Sequence, residues 1–120
     1  MLESHCQNRI DMSLQTVDSR SFAGAEYALA DSYYSKALDD WAQHEFQNAG
    51  HELEASIANL LRGAEWTGRG AEFDSTLVVK EALLLSRKLI DGQAAGSHEV
   101  AQQIRTVGGQ IEALKRELGS

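Results

Sequence analysis

The chain has 120 residues, of which 42% are hydrophobic, and its formal net charge at pH 7 is −7. A chain of this length buries most of its apolar surface in one core, so we expect a single domain. Eleven lysines and arginines stand against eighteen acidic residues, and they form no cluster that would neutralise phosphate groups. The charge therefore excludes nucleic acid as the expected partner.

The sequence carries no signal of export or of membrane insertion. Cys6 is the single cysteine, so no disulfide can close within the chain. The first 20 residues lack the continuous apolar stretch of a signal peptide. The longest uninterrupted apolar run, residues 82–85, is much shorter than the roughly 18 to 20 residues of a membrane span. These features predict a cytoplasmic protein with no membrane partner.

Two periodicities compete in the first 20 residues. Residues 10–15 alternate between apolar and polar side chains, as in a β-strand. A helical spacing fits nearly as well, since it relates Leu2, Cys6, Ile10, Leu14 and Val17. A lone strand needs a partner, and the rest of the chain offers none. We therefore predict a flexible or loosely helical arm over residues 1–20, followed by a single helical domain over residues 21–120.

Residues 23–66 contain no strong helix breaker, and the chain has no proline. The apolar stripe through Tyr27, Tyr34 and Trp41 nevertheless lies about a quarter turn away from the later stripe of residues 49–64, at about 100° per residue. One long helix would exceed the usual length in a globular domain. We predict two helices, near residues 22–43 and 45–65, that meet between Gln43 and Glu45.

Two further helices are predicted near residues 72–91 and 97–118. The first is apolar on more than one face, which indicates a central helix covered on two sides. Gly92 is suited to a left-handed helix cap and Ser97 to the start of the last helix. Gly108 and Gly109 indicate either a close helix approach or a bend. The predicted fold is all-α, an antiparallel four-helix bundle or an array of helical hairpins, with the N-terminal arm.

The helix pair around Trp41 resembles one tetratricopeptide-type hairpin. The resemblance covers about 34 residues, lacks the usual proline, whose position is held by Leu61, and has no second copy at the same period. It would imply peptide binding in a groove. The small and large positions that carry it are Ala37, Phe46, Ala49, Leu53 and Ser56.

Asp40, His44 and His51 are the candidate metal ligands. Asp40 and His44 are four residues apart, a spacing that lets both reach one ion from a helix. His44 and His51 are separated by about 10.5 Å along a helix axis, so a single ion would need another ligand from a different helix. Histidines beside carboxylates are more often surface residues or hydrogen-bonding groups, and we favour that interpretation.

No catalytic or cofactor-binding residue is assigned. The sequence contains no glycine-rich phosphate loop, no Gly-x-Ser-x-Gly turn and no Cys-x-x-Cys pair. The leading hypothesis is therefore a non-enzymatic module that binds a protein partner or associates with itself as a homo-oligomer. The alternatives are a small metal- or ligand-binding bundle using Asp40, His44 and His51, and a tetratricopeptide-like peptide-binding hairpin.

Overall fold

The computed structural model describes the backbone of residues 2–74, 76–92 and 95–119, with side chains from residue 21 to residue 117 within those ranges. This part of the chain forms α-helices and no strand, which confirms the predicted all-α class. The helices, in chain order, are α1, Leu2–Ala42; α2, Phe46–Trp66; α3, Gly70–Asp74; α4, Leu77–Asp91; and α5, His98–Gly119.

The chain reverses direction between α1 and α2, at the predicted position. His44 adopts a φ of 65°, and the amide of Glu45 donates a 2.7 Å hydrogen bond to the carbonyl of Asp40. The two helices then run antiparallel, with the Ser56 hydroxyl donating to the carbonyl of Ala30 at 2.7 Å. The prediction of two helices over residues 23–66 is confirmed.

α2 is the central helix of the fold. It packs against α1 on one side and α4 on the other, and its buried face includes Leu53, Ile57 and Leu60. At Gly50 a side chain would lie 2.7 Å from the carbonyl oxygen of Ser86, so only glycine lets α4 approach this closely. The helix near 72–91 was expected to be the central one, a place that α2 takes, although α4 also contacts two helices, α2 and α5.

The segment predicted as one helix near 72–91 is divided into α3 and α4. The Thr76 hydroxyl donates to the carbonyl of Phe73 at 2.8 Å and accepts from the amide of Val79 at 3.4 Å. A threonine that bonds to the backbone in this way ends one helix and caps the next. Phe73 remains fully buried, so the short α3 still contributes to the core.

α5 completes a four-helix bundle with α1, α2 and α4. Gly92 caps α4 with a φ of 75°, and the Ser97 hydroxyl accepts from the amide of Val100 at 3.2 Å, as predicted. α5 runs antiparallel to α1, because Tyr34 donates to the carbonyl of Ile104 and Trp41 to that of Ala95, each at 2.7 Å.

α1 extends far beyond the rest of the bundle. It has 41 residues and a length of about 60 Å, whereas the 21 residues of α2 span about 30 Å. The Phe22 ring lies 4.9 Å from the ring of Trp66, where α2 ends. Residues 2–20 therefore continue as helix for about 30 Å past this level, in keeping with overall dimensions of 63 × 23 × 18 Å. Of the two periodicities in this segment, the backbone follows the helical one.

Candidate functional site: a groove between α4 and α5

α4 presents an uncovered apolar face. Val79, Leu85 and Leu89 are buried against the bundle, whereas Leu77 and Leu84 are each 68% exposed. The two exposed leucines are seven residues apart, so they lie on one face, two turns from each other. A face of this kind has a large apolar area in contact with water and is typical of a binding surface.

Beside this face, α4 and α5 enclose a groove of about 630 Å³. Leu84, Leu85 and Val107 supply its apolar surface. Charged side chains surround it, three acidic and two basic, so no strong field of either sign distinguishes it. They are Glu81, Asp91, Glu99, Arg87 and Lys88.

Two amide side chains of α5 give the groove a polar component. Gln103 and Gln110 both line it, and the Oε1 atom of each is buried without a hydrogen-bond partner among the described residues. A buried acceptor without a partner costs about 1–3 kcal/mol relative to a satisfied one. An occupant with an apolar face fits the groove, and its hydrogen-bond donors would reach these two oxygens if the glutamine side chains turned outward.

A pair of carboxyl groups joins α1 to α2 elsewhere in the molecule. Glu52 is largely buried next to Asp40, and its Oε1 atom lies 3.8 Å from the ammonium of Lys36. Burial and then the neighbouring Asp40 raise the pKa of Glu52 from 4.5 to about 7, while Lys36 acts in the opposite direction. Glu52 consequently holds a proton in the folded chain at pH values where an exposed glutamate has lost it.

The structure separates the three candidate metal ligands. Asp40 lies beside Glu52, His44 stacks on the ring of Phe46 at 5.5 Å, and His51 is exposed on α2. Within the described ranges, no three histidine, cysteine, aspartate or glutamate side chains are grouped so as to hold one ion. Metal binding by these residues stays a prediction.

Leu77, Leu84 and the two glutamines are site residues that the sequence pattern did not predict. The apolar content of residues 77–90 predicts burial on two sides instead. A signal was present, because Leu77 and Leu84 share a helical face with Lys80 and Lys88, and a face that carries lysines is usually solvated.

The fold and the groove define a class: an all-α four-helix bundle with an extended first helix and an open groove between its last two helices. No helix in the described part of the chain has the length and hydropathy needed to cross a membrane. No protein-family model, curated protein or solved structure matches the chain significantly. The residues that carry the resemblance to a tetratricopeptide hairpin, apart from the half-buried Phe46, are buried inside the bundle.

Proposed function

We propose that this protein is a non-enzymatic helical interaction module that associates with itself through the α4 face and the adjoining groove. The observation that carries the proposal is the exposure of Leu77 and Leu84 on α4, next to an apolar groove. Large apolar side chains two turns apart on one helical face favour coverage by another helix.

The energetics require more contact than these two leucines provide. Full burial of a leucine contributes about 1.5–3 kcal/mol, so two leucines in each of two copies contribute about 6–12 kcal/mol. Association costs about 4–15 kcal/mol in lost translational and rotational freedom. A stable dimer therefore needs the groove as well as the face.

Light scattering across a concentration series tests the proposal with one variant and one matched control. Leu84→Lys places a charge on the proposed surface, whereas Leu29→Lys places it on α1, where Leu29 is 48% exposed. We expect the unaltered chain to be a dimer, and Leu84→Lys to raise the dimer Kd at least about tenfold. Leu29→Lys should leave the Kd unchanged.

A mass equal to one chain at every concentration would contradict self-association. In that case the groove would be open in the monomer, as expected for a module that binds a peptide from another protein. A dimer with the same Kd in both variants would place the interface away from α4.

Metal binding is the second candidate function. It is favoured by the position of Glu52, which adds a carboxylate from α2 beside Asp40 on α1. A calorimetric zinc titration of the full chain tests it, with Asp40→Asn as the variant that should lose the heat of binding. The absence of any heat in the unaltered chain would remove this candidate.

A further inference from the structure

The part of α1 that extends past the bundle has the pattern of a helix that packs against a partner. An isolated helix of this length is marginally stable in water and gains most of its stability from the packing of an apolar face. Along residues 2–20, which we call the arm, one helical face carries Leu2, Cys6, Ile10, Leu14 and Val17. The last ring contact between α1 and α2, from Phe22 to Trp66, lies past the end of the arm.

We propose that the arm of a second copy occupies the groove between α4 and α5, so that two copies exchange arms reciprocally. This inference rests on the self-association proposed above and names the segment that fills the groove. It joins an apolar helical stripe of the sequence to the apolar groove of the same chain.

The direction of the helices permits this exchange. The arm leaves the bundle at the end where α2 and α5 both finish, an end marked by the 2.9 Å hydrogen bond from Arg69 to the carbonyl of Glu117. If these ends of two copies face each other across a twofold axis perpendicular to α1, each arm runs back along the other copy. The arm is about 28 Å long and α5 about 33 Å, so the arm reaches along most of the groove.

The register of the contact follows from helix geometry. The twofold axis is taken at the level of Phe22. Cys6 lies 16 positions before Phe22, about 24 Å along the helix, so it is level with the residue 16 positions after Phe22 in the second copy, which is Leu38. Since Tyr34 is hydrogen-bonded to Ile104 and Trp41 to Ala95, that level on α5 is close to Glu99, which lines the groove. Cys6 is therefore placed near Glu99 of the second copy.

One turn nearer the twofold axis, Ile10 is placed level with Ile104, and one turn further Leu14 is placed near the apolar floor at Val107 of the second copy. Polar residues that flank the apolar stripe of the arm, such as Arg9 and Ser13, carry hydrogen-bond donors. In the described structure the Oε1 atoms of Gln103 and Gln110 are buried without a donor, and these two side chains would turn outward to meet the arm.

The arm enlarges the contact between two copies. Specific protein interfaces bury about 1,200–2,000 Å². Leu2, Ile10, Leu14 and Val17 are the large aliphatic residues of the arm stripe, and both arms add them to the exposed face of α4.

Disulfide trapping tests the register directly, because Cys6 is the single natural cysteine. Under mild oxidation Glu99→Cys should give a covalent dimer, since Cys6 of one copy lies beside the new thiol of the other. The control is Ser32→Cys, which adds an exposed thiol on α1 away from the groove and should give no specific dimer. Trapping in the control, or a disulfide within one chain, would overturn the proposal.

A charged substitution in the arm tests the same contact without a covalent bond between the copies. Ile10→Glu should raise the dimer Kd at least about tenfold. Asn8→Glu adds the same charge on the opposite side of the arm and should leave the Kd unchanged. Both variants should keep the Tm of the bundle at a concentration where the chain is monomeric, because residues 2–20 lie outside it.

The outcomes separate the two proposals. An unaltered chain that dimerises, with a Kd that Ile10→Glu does not change, would overturn arm exchange and leave self-association standing. A chain that is monomeric at every concentration would overturn both. Loss of the dimer in Ile10→Glu together with trapping at Glu99→Cys is the result that we expect.

Discussion

Gly108 and Gly109 are adjacent in α5 but have different surroundings. A Cβ atom at Gly108 would collide with the ring and hydroxyl of Tyr34, whereas one at Gly109 would meet nothing within 4 Å. Of the two explanations that the sequence left open, a close helix approach is therefore the one found, and Gly108 provides it. The sequence identified the pair, but only the position of Tyr34 on another helix distinguishes its members.

This difference predicts opposite effects of the same substitution. Gly108→Ala should lower the free energy of unfolding by about 1–2 kcal/mol, because overpacking outweighs the gain in helix propensity. Gly109→Ala should raise it by up to about 1 kcal/mol, since only the propensity changes. Urea unfolding monitored by circular dichroism measures both. Equal shifts in the same direction would contradict the packing of Tyr34 on Gly108.

Glu52 predicts a specific dependence of stability on pH. Its pKa is about 7 in the folded chain and 4.5 in the reference state, so the folded chain binds the proton more tightly. The folded state is therefore favoured by protonation, and the free energy of unfolding contributed by Glu52 falls as the pH rises from about 4.5 through 7.

Glu52→Gln should remove this part of the pH dependence. We expect the variant to be more stable than the unaltered chain at pH 8, by on the order of 1 kcal/mol, and nearly equal to it at pH 5. Glu54→Gln, an exposed position on the same helix, is the control and should change neither value. Parallel stability curves for the Glu52 variant and the unaltered chain between pH 5 and pH 8 would count against a raised pKa.

At the scale of elements, helix boundaries could be predicted where they depend on local chemistry. The change of apolar phase near Gln43 indicated the turn between α1 and α2, and Gly92 and Ser97 marked the loop before α5. The break at Thr76 was missed, because a threonine inside an apolar segment is compatible with an uninterrupted helix. Its two backbone hydrogen bonds depend on where Phe73 is held by the core.

Which face of a helix is covered could not be predicted from its composition. Val79 and Leu84 are both large apolar residues of α4, yet Val79 is buried in the bundle and Leu84 faces outward. The difference arises from the position of α2, which Gly50 fixes by allowing the close approach of α4. The groove could not be predicted for the same reason, because it is the space between α4 and α5 and depends on how the two helices are placed relative to each other.

At the scale of the whole molecule, α1 is both a wall of the bundle and an extension beyond it. Residues 22–42 pack against α2 and α5, while residues 2–20 continue the same helix for about 30 Å. The sequence predicted a separate arm, and the division of the chain at residue 20 stays a prediction. A continuous backbone helix gives the arm a defined direction, which a flexible tail would not have, and reciprocal exchange depends on that direction.

The distribution of charge makes a last prediction about association. The groove carries three acidic and two basic side chains, and residues 2–20 carry the same numbers, so each surface has a net charge of about −1 by this count. Each whole chain has a net charge of −7. The two copies therefore repel weakly, and the contact is held by apolar burial, which added salt does not screen.

Raising the NaCl concentration from about 0.05 M to about 1 M shortens the screening length from more than 10 Å to about 3 Å. We expect the dimer Kd, measured by light scattering, to fall by a few-fold, because screening reduces the repulsion between copies. The Kd of Arg87→Ala, which removes one positive charge from the groove, should show a steeper fall. A Kd that rises several-fold with salt would instead indicate an interface held by ion pairs, with Arg87 and Lys88 as the cations and the acidic residues of the arm as their partners.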